Sequence, residues 1–248
     1  MLLAIDIGNS NTSCGIFKGA KLIKRFDIPS APGFRGRVIK KLGKHPKISA
    51  CLICSVVPEQ TLTVRRAIYS LTSKVPHVIG KDPEVPIVNL YRKPEQVGQD
   101  RLVNAYAASV FYGKPLVIID SGTAITLDAV SGKGQYLGGM IAPGMEVSLK
   151  SLKENTALLP LVKPSRPKGS IGSDTKNSIL SGVILGTADL CRGLTGRLKQ
   201  GLGKNVRVIG TGGNIGLVCE YSGLNMKIDK DLTLKGINLI YRNETKSA

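Results

Sequence analysis

The chain has 248 residues and carries 35 Lys and Arg against 17 Asp and Glu, for a net charge of +18, with only 4% aromatic residues. That length accommodates about two domains of ordinary size, each able to bury its own core. No stretch approaches the roughly 20 uninterrupted apolar residues of a membrane span, the N-terminus starts on a strand pattern instead of a basic, apolar leader, and the few aromatics are not interleaved with the basic residues as single-strand stacking requires.

In chain order, Leu2-Leu3-Ala4-Ile5 running into Asp6 predicts a buried strand over about 2–6. The Gly-centred turn Ile7-Gly8-Asn9-Ser10-Asn11-Thr12 follows it, then strands over about 13–18 and 21–28 joined at Lys18-Gly19-Ala20-Lys21. Pro29 to Pro46 reads as loop and short basic helix, with Arg35, Arg37, Lys40, Lys41, Lys44 and Lys47 as the nearest approach to a basic patch. A second cluster is Lys163, Arg166 and Lys168, and a solvated basic surface is the simpler account of both. A central strand is predicted over about 49–56. It contains Cys51 and Cys54, whose spacing of three on a strand sends them to opposite faces and gives no zinc site. With Cys14, Cys191 and Cys219 they read as free thiols of a cytoplasmic protein.

Pro58-Glu59 opens a helix that runs through about Leu71. A strand at about 75–79 and a Pro-rich loop lead to Gly98, after which Leu102, Val103, Ala105, Tyr106 and Val110 predict a helix ending at Gly113. The second half repeats the programme. Strands are predicted at about 115–120, 123–130 and 134–141, a helix through Val147 to Glu154, and a long helix from Asp174 to about Leu198. A strand at 206–210, a Gly-rich turn, a helix and a final amphipathic helix around Leu232–Tyr241 complete the chain. Both halves are three strands followed by helix and strand, which divides the chain at 1–113 and 114–248.

The repeated unit carries the chemistry. Leu116-Val117-Ile118-Ile119 runs into Asp120-Ser121-Gly122-Thr123-Ala124-Ile125-Thr126 as the first strand runs into Asp6 and Gly8. Each turn offers donors for phosphate, and each acid at a strand end can hold a cation or its waters. Two such turns predict one phosphate chain gripped from both sides. A P-loop is excluded, because none of the Gly-Lys pairs is followed by Ser or Thr. Gly210-Thr211-Gly212-Gly213-Asn214-Ile215-Gly216 misses the dinucleotide fingerprint by one residue and reads instead as a turn on which adenosine lies, at Gly212 and Gly213. His45 and His77 adjoin prolines outside these motifs, so a catalytic base has to be a carboxylate. Gly98-Gln99-Asp100-Arg101 supplies one at a helix start, where an Asp also serves as a cap.

Together Asp6-Ile-Gly-Asn-Ser-Asn-Thr, Val97-Gly-Gln-Asp-Arg-Leu-Val-Asn-Ala, Asp120-Ser-Gly-Thr-Ala-Ile-Thr-Leu-Asp, Tyr136-Leu-Gly-Gly-Met-Ile-Ala-Pro-Gly and Ile171-Gly-x-x-Thr-x-x-Ser-Ile-x-Ser-Gly resemble the type III pantothenate kinases. The resemblance covers nearly the whole chain in order. It implies an α/β fold of two duplicated ribonuclease H-like (actin-like ATPase) domains, with mixed five-stranded sheets and an interdomain cleft. The implied activity is ATP-dependent phosphorylation of pantothenate to 4'-phosphopantothenate, the first step of coenzyme A synthesis. Asp100 then matches the general base and Asp6 the organiser of Mg2+ at the phosphates of ATP. The turn holding Ile7, Gly8, Asn9, Ser10, Asn11, Thr12 and Ser13 matches a phosphate-binding position, as does Thr123. Asp120 matches a ligand of a monovalent cation, K+ or NH4+. Tyr91, Gly98, Gln99, Arg101 and Thr175 match substrate-binding positions, Thr175 reaching across from the second subunit of a homodimer. The segment from Ile28 to Lys47 departs from the family in being short and basic. A nucleotide-sensing binding protein that contacts nucleic acid, and a nucleotide or polyphosphate hydrolase, are the competing classes. Intact Asp6, Asp100, Asp120 and Thr123 favour the kinase.

Overall fold

The computed structural model of the chain describes residues 1–29, 33–42 and 48–247, and contains two five-stranded sheets built on one plan. In the first, β1 (Leu2–Ile7), β2 (Asn11–Lys18) and β3 (Lys21–Pro29) form an antiparallel meander. Helix α1 (Phe34–Leu42) precedes β4 (Ala50–Ser55), which lies parallel to β1, and α2 (Pro58–Thr72) precedes the short edge strand β5 (His77–Val78). The order is β3-β2-β1-β4-β5. After a single 3-10 turn at Pro94–Gln96, helix α3 (Gln99–Tyr112) leads to the second sheet. There β6 (Leu116–Ser121), β7 (Ala124–Val130) and β8 (Tyr136–Pro143) form the meander, and α4 (Met145–Glu154) and α5 (Thr175–Leu202) precede β9 (Arg207–Thr211), parallel to β6. Helix α6 (Ile215–Ser222), edge strand β10 (Lys227–Ile228) and α7 (Leu232–Ser247) follow, and the order β10-β9-β6-β7-β8 repeats the first sheet. The expected mixed sheets and their duplication are thus present.

The central strands have both faces covered, which is why they are continuous apolar runs and not alternating ones. Leu3, Ile5 and Ile7 pack with Cys51, Ile53, Val64 and Ile68. Leu2 and Ala4, on the other face, pack with Leu52, Cys54, Leu234, Ile237 and Ile240. Cys51 and Cys54 accordingly lie in different cores. All five cysteines are free thiols, four of them buried, and burial pushes the Cys191 thiol up to about 11.

The chain forms two compact units that do not divide at residues 113 and 114. The first takes in the chain up to Val88, then Arg92–Ala107, and the chain from Asp231 onward; the second is Asn89–Tyr91 with Ala108–Lys230. The reason is α7. Its apolar stripe Leu234, Ile237 and Ile240 covers the second face of the first sheet, and polar contacts fix its register. Thr233 Oγ1 donates to Asn104 Oδ1 at 2.8 Å, and Asn238 Nδ2 donates to the Gly19 carbonyl at 3.1 Å. The chain therefore returns to the unit where it began.

Element boundaries depart from the expected ones where the signal is short. The strand expected at 75–79 contracts to His77–Val78, and β10, two residues long, has no periodicity to announce it. The basic helix forms over Phe34–Leu42, while Lys44, His45 and Lys47 lie outside the described residues. In the second basic cluster Arg166 Nε pairs with Glu220 Oε2 at 2.9 Å.

Helix α5 has a side-chain cap. Asp174 Oδ1 accepts from the Asn177 N–H at 2.8 Å, and Asn177 Nδ2 donates to the other carboxylate oxygen. These bonds, the Asn177 N–H first, hold the Asp174 carboxyl below its ordinary value, with Lys168 adding to the effect. A lowered native pKa stabilises the fold above the unfolded-state pKa, and that stabilisation is lost as pH falls through the native value. Asp174→Ala is therefore expected to melt below the parent protein at pH 7, with the gap closing in the acid range below the ordinary carboxyl pKa; a gap that does not change with pH contradicts a charged cap.

Candidate active site

In the first unit, β1 and β2 place Asp6 opposite Ser13 and Ile7 opposite Thr12, while β4 on the other side places Cys54 beside Asp6 and Ser55 beside Ile7. The connecting turn is closed by the Gly8 N–H donating to the Asn11 carbonyl at 3.0 Å, and a Cβ on Gly8 would lie 3.2 Å from that oxygen. Asn9, Ser10 and Asn11 are exposed at its tip, and Asp6 is half-buried. Two residues of the predicted phosphate turn point elsewhere. The Ile7 side chain belongs to the core, leaving only its backbone for a ligand, and the Ser13 hydroxyl donates to Asp27 Oδ1 at 2.7 Å. Thr12 is buried, and its Oγ1 has no hydrogen-bond partner.

Gly98, Gln99, Asp100 and Arg101 form the entry to α3, where the Gly98 carbonyl accepts from the Arg101 N–H at 3.1 Å and Asp100 Oδ1 accepts from the same N–H at 2.8 Å. A Cβ on Gly98 would lie 2.5 Å from Asp100 Oδ1, so only glycine leaves the carboxylate where it is. The structure brings Asp100 and Asp6 to one neighbourhood. Burial first, and then the carboxylates of Asp6 and Asp100, push the Cys54 thiol well above its ordinary range. Two acids, one on a strand end and one on a helix start, thus both act on a single buried thiol. Sequence reasoning missed Gly80, whose φ of +87 lets the Gln99 carboxamide pack directly over it; a Cβ there would lie 2.6 Å from Gln99 Cδ.

The second unit repeats the strand-end acid. Asp120 on β6 sits between Thr126 of β7 and Thr211 of β9. The turn that follows is tighter than the first, with the Gly122 N–H donating to the Ala124 carbonyl at 3.0 Å and Gly144 N–H to the Thr123 carbonyl at 3.0 Å. Thr123 is exposed. Gly212, at φ +92, lies against the acid: a Cβ there would be 2.5 Å from Asp120 Oδ1 and 2.6 Å from the Ser121 carbonyl. Ser121 is buried, and its Oγ has no hydrogen-bond partner. Gly213 is exposed, and a Cβ on it would meet nothing within 4 Å. Its backbone is open to a flat ligand. Among the described residues no group of three or more His, Cys, Asp or Glu is arranged to hold a metal ion by itself.

Tyr91 lies in this second unit with its ring on Gly138, and Thr175 is the exposed first residue of α5. The preceding loop is tied to that helix by the Ser178 hydroxyl donating to the Gly172 carbonyl at 3.2 Å and the Ser181 hydroxyl to the Gly169 carbonyl at 2.7 Å. Gly172, Ser178 and Ser181 of the last sequence motif therefore tie down the approach to Thr175.

A family model described as type III pantothenate kinase matches residues 2–197. The chain belongs to the type III pantothenate kinase family. Among the relatives, that of Dehalococcoides mccartyi strain 195 is 36% identical over 250 residues, covering 97% of each chain. That of Rhodospirillum rubrum is 38% identical over 255 residues, covering 98% of each. Both are type III pantothenate kinases. Among solved structures, the activator of 2-hydroxyisocaproyl-CoA dehydratase from Clostridium difficile, with bound ADPNP, has a TM-score of 0.60 at 14% identity and covers 99% of this chain and 96% of its own. That likeness speaks for the fold, the duplicated actin-like ATPase plan. The family is decided by the sequence matches over nearly full length.

Proposed function

We propose that this pantothenate kinase uses Asp100 as its general base. The carrying observation is the seat of Asp100 against the end of the first sheet: a Cβ on Gly98 would lie 2.5 Å from Asp100 Oδ1 and 3.5 Å from Val56 Cγ1, and the Val56 N–H donates to the carbonyl of Ile7, the residue after Asp6, at 3.1 Å. In the reaction the primary hydroxyl of pantothenate attacks the γ-phosphorus of ATP, its proton passes to the Asp100 carboxylate, the bond to the β,γ-bridging oxygen breaks, and ADP leaves. Phosphoryl transfer depends on positioning and charge neutralisation more than on covalent chemistry. The exposed Asn9, Ser10 and Asn11 and Thr123 serve the phosphates, and Gly212 and Gly213 the adenosine. Tyr91, Gly98, Gln99, Arg101 and Thr175 serve pantothenate. Arg101 stays protonated at any working pH, so it binds and does not accept the proton.

The donor sets fit two cations. A half-buried carboxylate such as Asp6 suits Mg2+, which is held through one or two carboxylates while substrate phosphates and waters supply the rest. Around Gly212 the Asp120 carboxylate and the Ser121 carbonyl converge, with the unpartnered Ser121 hydroxyl on the same residue; this oxygen set suits K+ or NH4+. Bound there, the cations supply charge neutralisation to the phosphates. A homodimer is supported by Leu158 and Ile171, which stand 92% and 90% exposed in the loop before Thr175 and are apolar surface for a second copy to cover. The five free thiols fit a cytoplasmic setting, and no helix among the described residues is long and apolar enough to cross a membrane.

The test is ADP production from ATP in magnesium buffer, with and without pantothenate, in potassium, ammonium or sodium salts. Expected is ADP that requires pantothenate and rises with potassium or ammonium, the rise being lost in Asp120→Ala. ADP formed equally without pantothenate overturns the substrate in favour of a hydrolase, and none under any condition overturns the kinase.

A further inference from the structure

We infer that Asp128 and Tyr136, a buried pair outside the proposed contacts, are positioning residues for pantothenate that act through Tyr91; the inference rests on the reading of Tyr91 as a substrate contact. Asp128 is 1% exposed on β7 and Tyr136 is fully buried on β8. A carboxyl group at that depth has to be satisfied by the protein. Tyr136 OH donates to Asp128 Oδ1 at 2.7 Å, and Thr126 Oγ1 donates to Asp128 Oδ2 at 3.2 Å. The bond pins the Tyr136 side chain from within the fold.

The Tyr136 backbone holds the segment that carries Tyr91. Asn89 forms a parallel bridge to Tyr136, and the Leu90 N–H donates to the Tyr136 carbonyl at 2.9 Å. One residue on, the Tyr91 N–H donates to Asn89 Oδ1 at 3.0 Å. Asn89–Tyr91 thereby groups with the second unit although the chain on either side belongs to the first. Two glycines make the arrangement possible. The Tyr91 ring rests on Gly138, at φ +110, where a Cβ would lie 3.0 Å from Tyr91 Cδ2. Gly139 faces Asp128 across the ladder, and a Cβ there would lie 2.9 Å from Asp128 Oδ1 and closer still to the Leu127 carbonyl. The Tyr136-Leu137-Gly138-Gly139 sequence is thus one device: a tyrosine that anchors the segment, a glycine that seats the ring, and a glycine that clears the buried carboxyl.

The experiment compares steady-state kinetics of purified full-length variants with both substrates varied. Tyr136→Phe removes one hydroxyl and is expected to raise KM for pantothenate about fivefold or more, while KM for ATP and kcat stay within about twofold. Asp128→Ala has the same signature, and Asp128→Asn, which keeps an acceptor in place, recovers most of the loss. Tyr91→Ala raises KM for pantothenate on its own, and adding Tyr136→Phe to it raises KM no further, because both act through one ring. An unchanged KM for pantothenate in Tyr136→Phe, alongside a raised one in Tyr91→Ala, overturns the positioning role and leaves the reading of Tyr91 standing. An unchanged KM in Tyr91→Ala overturns that reading and the inference with it. Equal rises in both KM values, or a fall in kcat alone, mark general damage and also overturn it. If Tyr136→Phe does not fold, Asn89→Ala, which removes the acceptor for the Tyr91 N–H, is read by the same kinetics, and an unchanged KM for pantothenate there counts against the inference.

Discussion

Replacing Asp100 with asparagine leaves a folded, ATP-binding protein whose turnover is lower by roughly 10²–10⁴, the ordinary worth of a general base. The substitution is close to isosteric, and the bond at the start of α3 survives it: an asparagine Oδ1 accepts the Arg101 N–H that Asp100 Oδ1 accepts at 2.8 Å. What disappears is the capacity to take a proton. Its neighbours do not replace it. Arg101 cannot lose its proton, and His77 is exposed on the edge strand β5, paired with Asp82 at 3.4 Å. Cys54, beside both acids, is buried with a thiol pushed far up, so it holds its proton at neutral pH. The loss is expected in kcat, with the KM for ATP little changed. Near-normal turnover in Asp100→Asn refutes the assignment. A loss accompanied by a collapsed melting temperature assigns Asp100 a structural duty at the start of α3 instead.

The duplication was legible because it is written in long apolar runs. Leu2 to Ile5 and Leu116 to Ile119 are buried on both faces, and such strands leave an uninterrupted hydrophobic signature. The acids that end them were legible too, since a charge at the edge of a buried run has few structural uses. Less legible was the fate of α7. An amphipathic helix announces that it has an apolar stripe but not which sheet will cover it, and Leu234, Ile237 and Ile240 cover the first sheet, not the second. Strand β10 was invisible for a simpler reason. Its pairing partner, the Ile209–Gly210 stretch of β9, decides its existence, and two residues carry no period of their own.

Within the candidate site, the motifs name residues and could not show what holds them. Gly80 reads as an ordinary turn glycine, yet its φ of +87 makes the surface on which Gln99 lies. Asp128 and Tyr136 belong to two of the motifs but had no assigned duty, and the 2.7 Å bond between them shows a reason for both. Conversely, Ile7 and Ser13 fall inside a correctly located turn, but their side chains serve the core and Asp27. A turn motif locates a backbone path. Which side chains on that path face a ligand depends on strand register, and here Thr12 and Ile7 form an inward-facing pair.

Gly212 and Gly213, in the turn between β9 and α6, separate a structural from a proposed binding use, and they differ sharply in what a methyl group would meet. On Gly212 an added Cβ would lie 2.6 Å from the Ser121 carbonyl, a backbone atom in a central strand, and 2.5 Å from Asp120 Oδ1. The φ of +92 adds strain for any L side chain. Backbone strain of this kind costs about 1–3 kcal/mol, and overpacking against atoms that cannot retreat adds about 1–3 kcal/mol more. Gly212→Ala is therefore expected to lower the melting temperature by roughly 5–15 °C for a chain of this size and to displace Asp120, so that activation by potassium goes with it. Gly213→Ala places its methyl in open space and is expected to melt with the parent protein. Its effect is a raised KM for ATP, because the methyl stands where adenosine is proposed to lie. An unchanged melting temperature in Gly212→Ala contradicts the packing around Asp120. An unchanged KM for ATP in Gly213→Ala moves adenosine off this turn while leaving the cation site and the base where they are.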